Sequence, residues 1–230
     1  MAETPRLAHL TILLLMGSEL LVALILLGAV LAVLCGRWRH ALLAAGVAAA
    51  VAAGYACLLL GVGWLSPEKT LAPGEWKYFC EADSHIAYAI EDVHIADAAG
   101  APPGAPQSQS VRLAVRLKTW FDQNSIASFR GNAPFRPEPR RVVLVDGGGR
   151  VYSPLPEAES AAGEHSTPMT QPLRPGESYL TSFAFEVPRP ARGLRLLITD
   201  VDPASRFIID HENSPLHGKI LLGLAASGGA

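Results

Sequence analysis

Cysteine is scarce: the chain of 230 residues has three. Cys35 and Cys57 lie in or beside apolar runs, so Cys80 is the one thiol of the C-terminal part, and an internal disulfide there is excluded. That thiol reads as a small buried hydrophobe, a metal ligand or half of an intermolecular disulfide. Charge is almost missing from the first 65 residues, where Glu3, Arg6, Glu19, Arg37 and Arg39 are the whole set. A basic surplus is missing from the remainder. It keeps 16 of the 19 Lys and Arg and 19 of the 21 Asp and Glu, a formal charge of −3. A near-neutral domain lacks the electrostatic footprint of a nucleic-acid binder. Catalytic signatures are missing too: there is no Gly-x-Ser-x-Gly elbow, P-loop or His-Glu-x-x-His. Gly147-Gly148-Gly149 reads as a hairpin turn, since no helix follows it to cradle a phosphate. The expectation is a non-enzyme.

What is present begins with two apolar runs, Leu10–Leu34 and Ala41–Leu65. A hydrocarbon core of ~30 Å needs roughly 20 helical residues, so each run is long enough to span it. The first is also longer than the apolar core of a signal peptide, and no small-x-small cleavage site follows it. The short connection at 35–40 forces the two spans into an antiparallel hairpin and carries Arg37, Arg39 and His40. The positive-inside rule puts this connection in the cytoplasm. The expectation is an integral membrane protein, of the inner membrane if bacterial, with its C-terminal domain periplasmic or extracellular. The lipid bilayer is one partner.

The second run is rich in small residues. Gly46, Ala50 and Gly54 recur every four positions, a spacing that lets helix backbones approach closely. They are expected to pack a helix, either the first span or another protein. Glu19 is the one costly side chain of the first span. It reads as a functional carboxyl if deep, or as an interfacial residue if the span starts later.

Residues 66–75 read as a linker from their Pro and Gly content, dividing a hairpin at 1–65 from a domain at 76–230. In that domain the period becomes two. Val111, Leu113, Val115, Leu117 and Thr119 alternate with polar residues, as do Tyr179, Thr181, Phe183, Phe185 and Val187, and then Leu194, Leu196 and Ile198. In Ile86–Ile95 the phase shifts after Ile90, which reads as a β-bulge near Glu91-Asp92. Arg141–Val145 and Arg150–Ser153 flank the glycine turn as a hairpin. Phe207–Asp210 and Lys219–Leu224 are candidate final edge strands. Ala98–Gln109 and Pro154–Pro172 read as loops. The sum is an antiparallel immunoglobulin-like β-sandwich of about seven or eight strands.

One stretch is more specific. Leu173-Arg174-Pro175-Gly176-Glu177-Ser178 leads into Ser182–Pro188 and then Leu194–Ile198. An earlier strand at Val111–Thr119 precedes Val142–Tyr152, with Leu144, Asp146, Gly149 and Tyr152 in the form L-x-D-x-x-G-x-x-Y. The pattern resembles the telokin-like, immunoglobulin-like extracellular domains of bacterial membrane proteins and lipoproteins. That resemblance implies the sandwich fold and an adhesive or accessory role without an assigned activity.

Three clusters are candidate sites. Cys80, Asp83 and His85 offer thiolate, carboxylate and imidazole at close spacing, a set suited to copper or zinc, though no cofactor is the leading expectation. His165 and Met169 add softer donors in a loop. Asp200, Asp202, Asp210, His211 and Glu212 read either as a calcium set or as turn chemistry. Trp120, Phe121, Phe129, Arg130, Phe135, Arg136, Arg140 and Arg141 combine aromatics and arginines in an irregular connection, as protein interfaces do. The alternative is that the aromatics fold back to cap the sandwich. The functional expectation is therefore a membrane-anchored binding or accessory module with a protein partner. The alternatives are a structural subunit of a larger membrane complex and an envelope metal-binding protein.

Overall fold

Both apolar runs are helices in the computed structural model, which describes residues 5–81, 83–96, 110–156, 166–189 and 191–224. α1 spans Pro5–Leu34 and α2 spans Trp38–Leu65. Each contains a stretch long and apolar enough to cross a membrane, Leu10–Leu34 and Trp38–Leu65. Gly36 makes the turn between them in the left-handed region (φ 72°). The Gly36 amide reaches back to the Val33 carbonyl, and that of Arg37 to the Ala32 carbonyl.

The two helices pack together through a heptad-like stripe. On α1 the less exposed positions are Thr11, Leu15, Ser18, Val22, Ile25, Ala29 and Ala32. On α2 they are Ala41, Ala44, Ala48, Val51, Tyr55, Leu59 and Val62, together with Gly61 and Gly63 near its end. Alternating steps of three and four keep one narrow seam facing a partner helix. Outward Leu and Val side chains on both helices are exposed.

Among the described residues nine strands form a two-sheet sandwich. They are β1 (Lys69–Leu71), β2 (Lys77–Cys80), β3 (His85–Ala96), β4 (Ser110–Phe121), β5 (Arg140–Val145), β6 (Val151–Tyr152), β7 (Ser178–Pro188), β8 (Arg195–Asp200) and β9 (Ile220–Gly223). One sheet has the order β2-β3-β4-β7 and the other β1-β9-β8-β5-β6. All pairings are antiparallel except β1 with β9, which is parallel. The core lies between the sheets and includes Tyr88, Leu117 and Phe185 from the first and Leu144, Leu196 and Ile198 from the second, all fully buried. The expected bulge is present: the β3–β4 register shifts between Ile90 and Asp92.

The chain forms two compact units, residues 1–68 with Asp202–Lys219, and residues 69–201 with 220–230. Two expectations change here. The presumed linker 66–75 contains strand β1, because Leu71 is a core residue and the Pro73-Gly74 pair is a turn. Phe207–Asp210 is no edge strand: Pro203–Phe207 is a 3-10 helix capped by Asp202, whose carboxylate accepts from the Ala204 amide at 2.9 Å. The presumed loop Ala98–Gln109 and His165 lie outside the described residues.

Two sequence motifs acquire physical reasons. The Asp146 carboxylate accepts from the amides of Gly148 (2.8 Å) and Arg150 (2.9 Å) and from the Tyr152 hydroxyl (2.8 Å). Gly149 takes φ 80°, so Asp, Gly and Tyr together lock the β5–β6 turn. In Arg174-Pro175-Gly176-Glu177 the Glu177 amide donates to the Arg174 carbonyl while its carboxylate accepts from the Arg174 amide at 2.7 Å. Ala72-Pro73-Gly74-Glu75 repeats that turn, with the Ala72 amide donating to Glu75 at 2.6 Å.

Candidate functional site

The densest polar site of the sandwich is internal and was not foreseen as a unit. β2 alternates Lys77 and Phe79 inward with Tyr78 and Cys80 outward. Lys77 is 3% exposed, and its ammonium donates to the carbonyls of Ile198 (2.6 Å) and Ile220 (2.8 Å) in the opposite sheet. Arg140 opens β5 opposite Asp200 of β8. Its guanidinium lies 2.7 Å from Glu81, just past β2, and 2.9 Å from Asp200. Both cations lie over the Phe79 ring, Lys77 at 5.1 Å and Arg140 at 4.5 Å, and the ring meets Tyr88 edge-on at 5.5 Å. Cation–π contacts of this kind strengthen once desolvated.

The electrostatics follow from burial. Desolvation pushes the Glu81 carboxyl up to about 7, against the pull of Arg140 and with further repulsion from Glu138 and Asp200. Burial opposes the charge on Arg140, but Glu81 and Asp200 outweigh it and raise its pKa. Burial likewise raises the Tyr88 phenol. Lys77, Glu81 and Arg140 therefore tie one sheet to the other through charge. A lysine in phase with Phe79 was the signal available in the sequence.

A second internal site involves the expected contact region. Arg130 is paired with Asp83 and lies over the rings of Phe135 (4.8 Å) and Phe121 (5.3 Å). Phe121 is fully buried, and Trp120 stacks on Trp76 at 5.4 Å. The expectation that Trp120, Phe121, Phe129, Arg130, Phe135, Arg136, Arg140 and Arg141 form one contact surface needs correction. Phe121, Arg130, Phe135 and Arg140 are spent on packing and ion pairs inside the sandwich. Phe129 (83% exposed), Arg136 and Arg141 face outward, and Trp120 is half-buried on the outer face of β4.

Cys80 and His85 are directly opposed in the β2–β3 register, while the Asp83 carboxylate is held by Arg130. No group of three His, Cys, Asp or Glu side chains suited to a metal occurs among the described residues. In the presumed calcium set, Asp200 pairs with Arg140, Asp202 caps the 3-10 helix and Asp210 lies 3.4 Å from His217. Gly46, Ala50 and Gly54 are exposed, and a Cβ added to Gly46 or Gly54 would meet nothing within 4 Å. The stripe is therefore not the seam against α1, which runs through Ala41, Ala48 and Leu59 instead.

No protein-family pattern matches the chain, and no curated protein matches it in sequence. Similar solved structures are bacterial. A secreted protein of Mycobacterium tuberculosis, MPT63, is 11% identical, with a TM-score of 0.42 over 68% of this chain and 97% of its own. An uncharacterised β-sandwich protein of Clostridium difficile is 10% identical, with a TM-score of 0.39 over 70% and 96%. The yjhA protein of Bacillus subtilis is 13% identical, with a TM-score of 0.37 over 67% and 98%.

Proposed function

We propose that the chain is a membrane-tethered, non-catalytic binding or accessory module that displays its β-sandwich outside the cytoplasm. The observation carrying this reading is the contrast between the helices and the sandwich. The outward faces of α1 and α2 are apolar and exposed, as lipid-facing surfaces are. Inside the sandwich, by contrast, Arg140 is paired with Glu81 and Asp200, and Lys77 donates to backbone carbonyls. Arg37, Arg39 and His40 at the helix turn support a cytoplasmic connection. The Pro-Gly-Glu turn and the Asp146–Tyr152 lock support membership of the telokin-like extracellular domains.

A second reading, a subunit of a larger membrane complex, is favoured by one observation: the Gly46-Ala50-Gly54 stripe is exposed, with no helix packed on it among the described residues. Purification of the tagged full-length protein in mild detergent, with mass spectrometry and elemental analysis of one eluate, separates the readings. A stoichiometric membrane partner lost on changing Gly46, Ala50 and Gly54 to Leu makes the chain a complex subunit. Stoichiometric copper or zinc overturns both in favour of metal binding.

A further inference from the structure

Segment Asp202–Lys219 belongs with the helices and is a built element. Its interior holds Ser205, Ile209, Glu212 and Ser214, all buried. It grips α2 at two levels. The Tyr55 hydroxyl donates to the Phe207 carbonyl at 2.6 Å. Near the helix end, Gly63 is buried with no room for a side chain: a Cβ there would lie 2.3 Å from the Pro215 carbonyl oxygen.

The depth of the first contact decides what surrounds the segment. Tyr55 lies ten residues before the end of α2, which is about 15 Å along the axis. At 28 residues α2 is about 42 Å long, so about 12 Å exceeds a ~30 Å hydrocarbon core. If the whole surplus projects on the Leu65 side, the boundary falls near residue 58, and Tyr55 is still about 4 Å beneath it. Any other placement, or a tilt, sinks Tyr55 further.

Through the Tyr55 bond the Phe207 carbonyl is held near the hydrocarbon boundary, and its side chain is 58% exposed. Leu216 is 66% exposed and held at φ 66°, a left-handed conformation unusual for a bulky residue. Trp64 and Leu65 at the end of α2 are exposed as well. We propose that segment 202–219 is a second membrane-contacting element, whose Phe207 and Leu216 side chains enter the interfacial layer of the bilayer that the hairpin crosses. The occupant of this surface is lipid. Trp64 supplies the aromatic belt, and the segment adds apolar wedges beside it. This rests on the reading of the hairpin as membrane-spanning.

The test uses the full-length protein with Cys35, Cys57 and Cys80 changed to Ser, in nanodiscs of phosphatidylcholine and phosphatidylglycerol. A nitroxide is placed in turn at Phe207→Cys, Leu216→Cys, Leu24→Cys and Phe129→Cys. Spin-relaxation by oxygen is compared with that by a water-soluble nickel chelate. Positions 207 and 216 are expected to favour oxygen over the chelate, less strongly than Leu24 and in contrast to Phe129. Chelate preference at 207 and 216 with lipid behaviour at Leu24 overturns the proposal and leaves the anchor intact. Chelate preference at Leu24 as well overturns the anchor reading itself. Protection of 207 and 216 from both reagents overturns the lipid assignment in favour of a protein contact.

Discussion

Glu81 and Arg140 meet at 2.7 Å with their side chains 4% and 1% exposed, one following β2 and the other opening β5, so the pair spans the two sheets. Removing one partner of a buried pair leaves a charge without compensation. Arg140→Met, which strands Glu81 and Asp200, is expected to destabilise the sandwich by about 3–5 kcal/mol. Adding Glu81→Gln to that variant should restore part of the loss. Denaturant titrations of the full-length protein in detergent, followed by near-ultraviolet circular dichroism, measure both. A double variant no more stable than Arg140→Met would show that the carboxylate is not the source of the penalty.

The same pair gives stability a pH dependence. Burial raises the Glu81 carboxyl from an ordinary 4.5 to about 7, so the folded protein holds a proton that the unfolded chain releases. Stability contributed by that proton is complete below 4.5 and is lost as the pH rises toward 7. The melting temperature should fall across this window and level off above it. Glu81→Gln should flatten the slope; an unchanged slope would assign it to other groups.

Gly63 and Gly54 lie on one helix but face different surroundings. A Cβ on Gly63 collides with backbone of Pro215, whereas one on Gly54 meets nothing. Gly63→Ala is expected to loosen segment 202–219 at a cost of about 1–3 kcal/mol. Gly54→Ala should be neutral or slightly stabilising, since alanine is the better helix former. Limited proteolysis reads the difference as new cleavage within 202–219 in the first variant alone.

Phe121 and Phe129 bracket the region expected to form one surface. Phe121 is fully buried, so Phe121→Ala should cost about 3–5 kcal/mol. Phe129 is exposed, and Phe129→Ala should stay within about 0.5 kcal/mol in stability. If a partner docks here, binding must then depend on Phe129, Arg136, Arg141 or the half-buried Trp120. Loss of a captured partner from the Phe129→Ala protein, with an unchanged melting curve, is the outcome that would show it.

The helices, the long strands and the bulge were legible because each rests on local periodicity. Leu117, Thr119 and Phe121 continue one alternation, so the inward position of Phe121 was available too. Ending that strand at Thr119 is what placed the ring in an outward-facing loop. Lys77 was readable by the same rule, from its phase with Phe79. The Pro73-Gly74-Glu75 turn was readable as a copy of Pro175-Gly176-Glu177, which would have put a strand before it. Segment 202–219 had no such signal. Its place beside α2 depends on Tyr55 and Gly63, more than 140 positions earlier, and pairings that distant leave no periodic trace. The charge cluster around Arg140 was hidden for the same reason, since Glu81, Arg140 and Asp200 come from three separate strand ends.

The parallel pairing of β1 with β9 sets an order of events during synthesis. Lys69–Leu71 follows α2 almost at once, yet its hydrogen-bonding neighbour is Ile220–Gly223. While the ribosome is still making the strands between them, the helices can already be settled and β1 waits with an open edge. The edge of β8 that β9 will cover waits as well. A stall or a cut ahead of Ile220 would therefore leave a sheet without the strand between β1 and β8, poised to borrow one from another nascent chain.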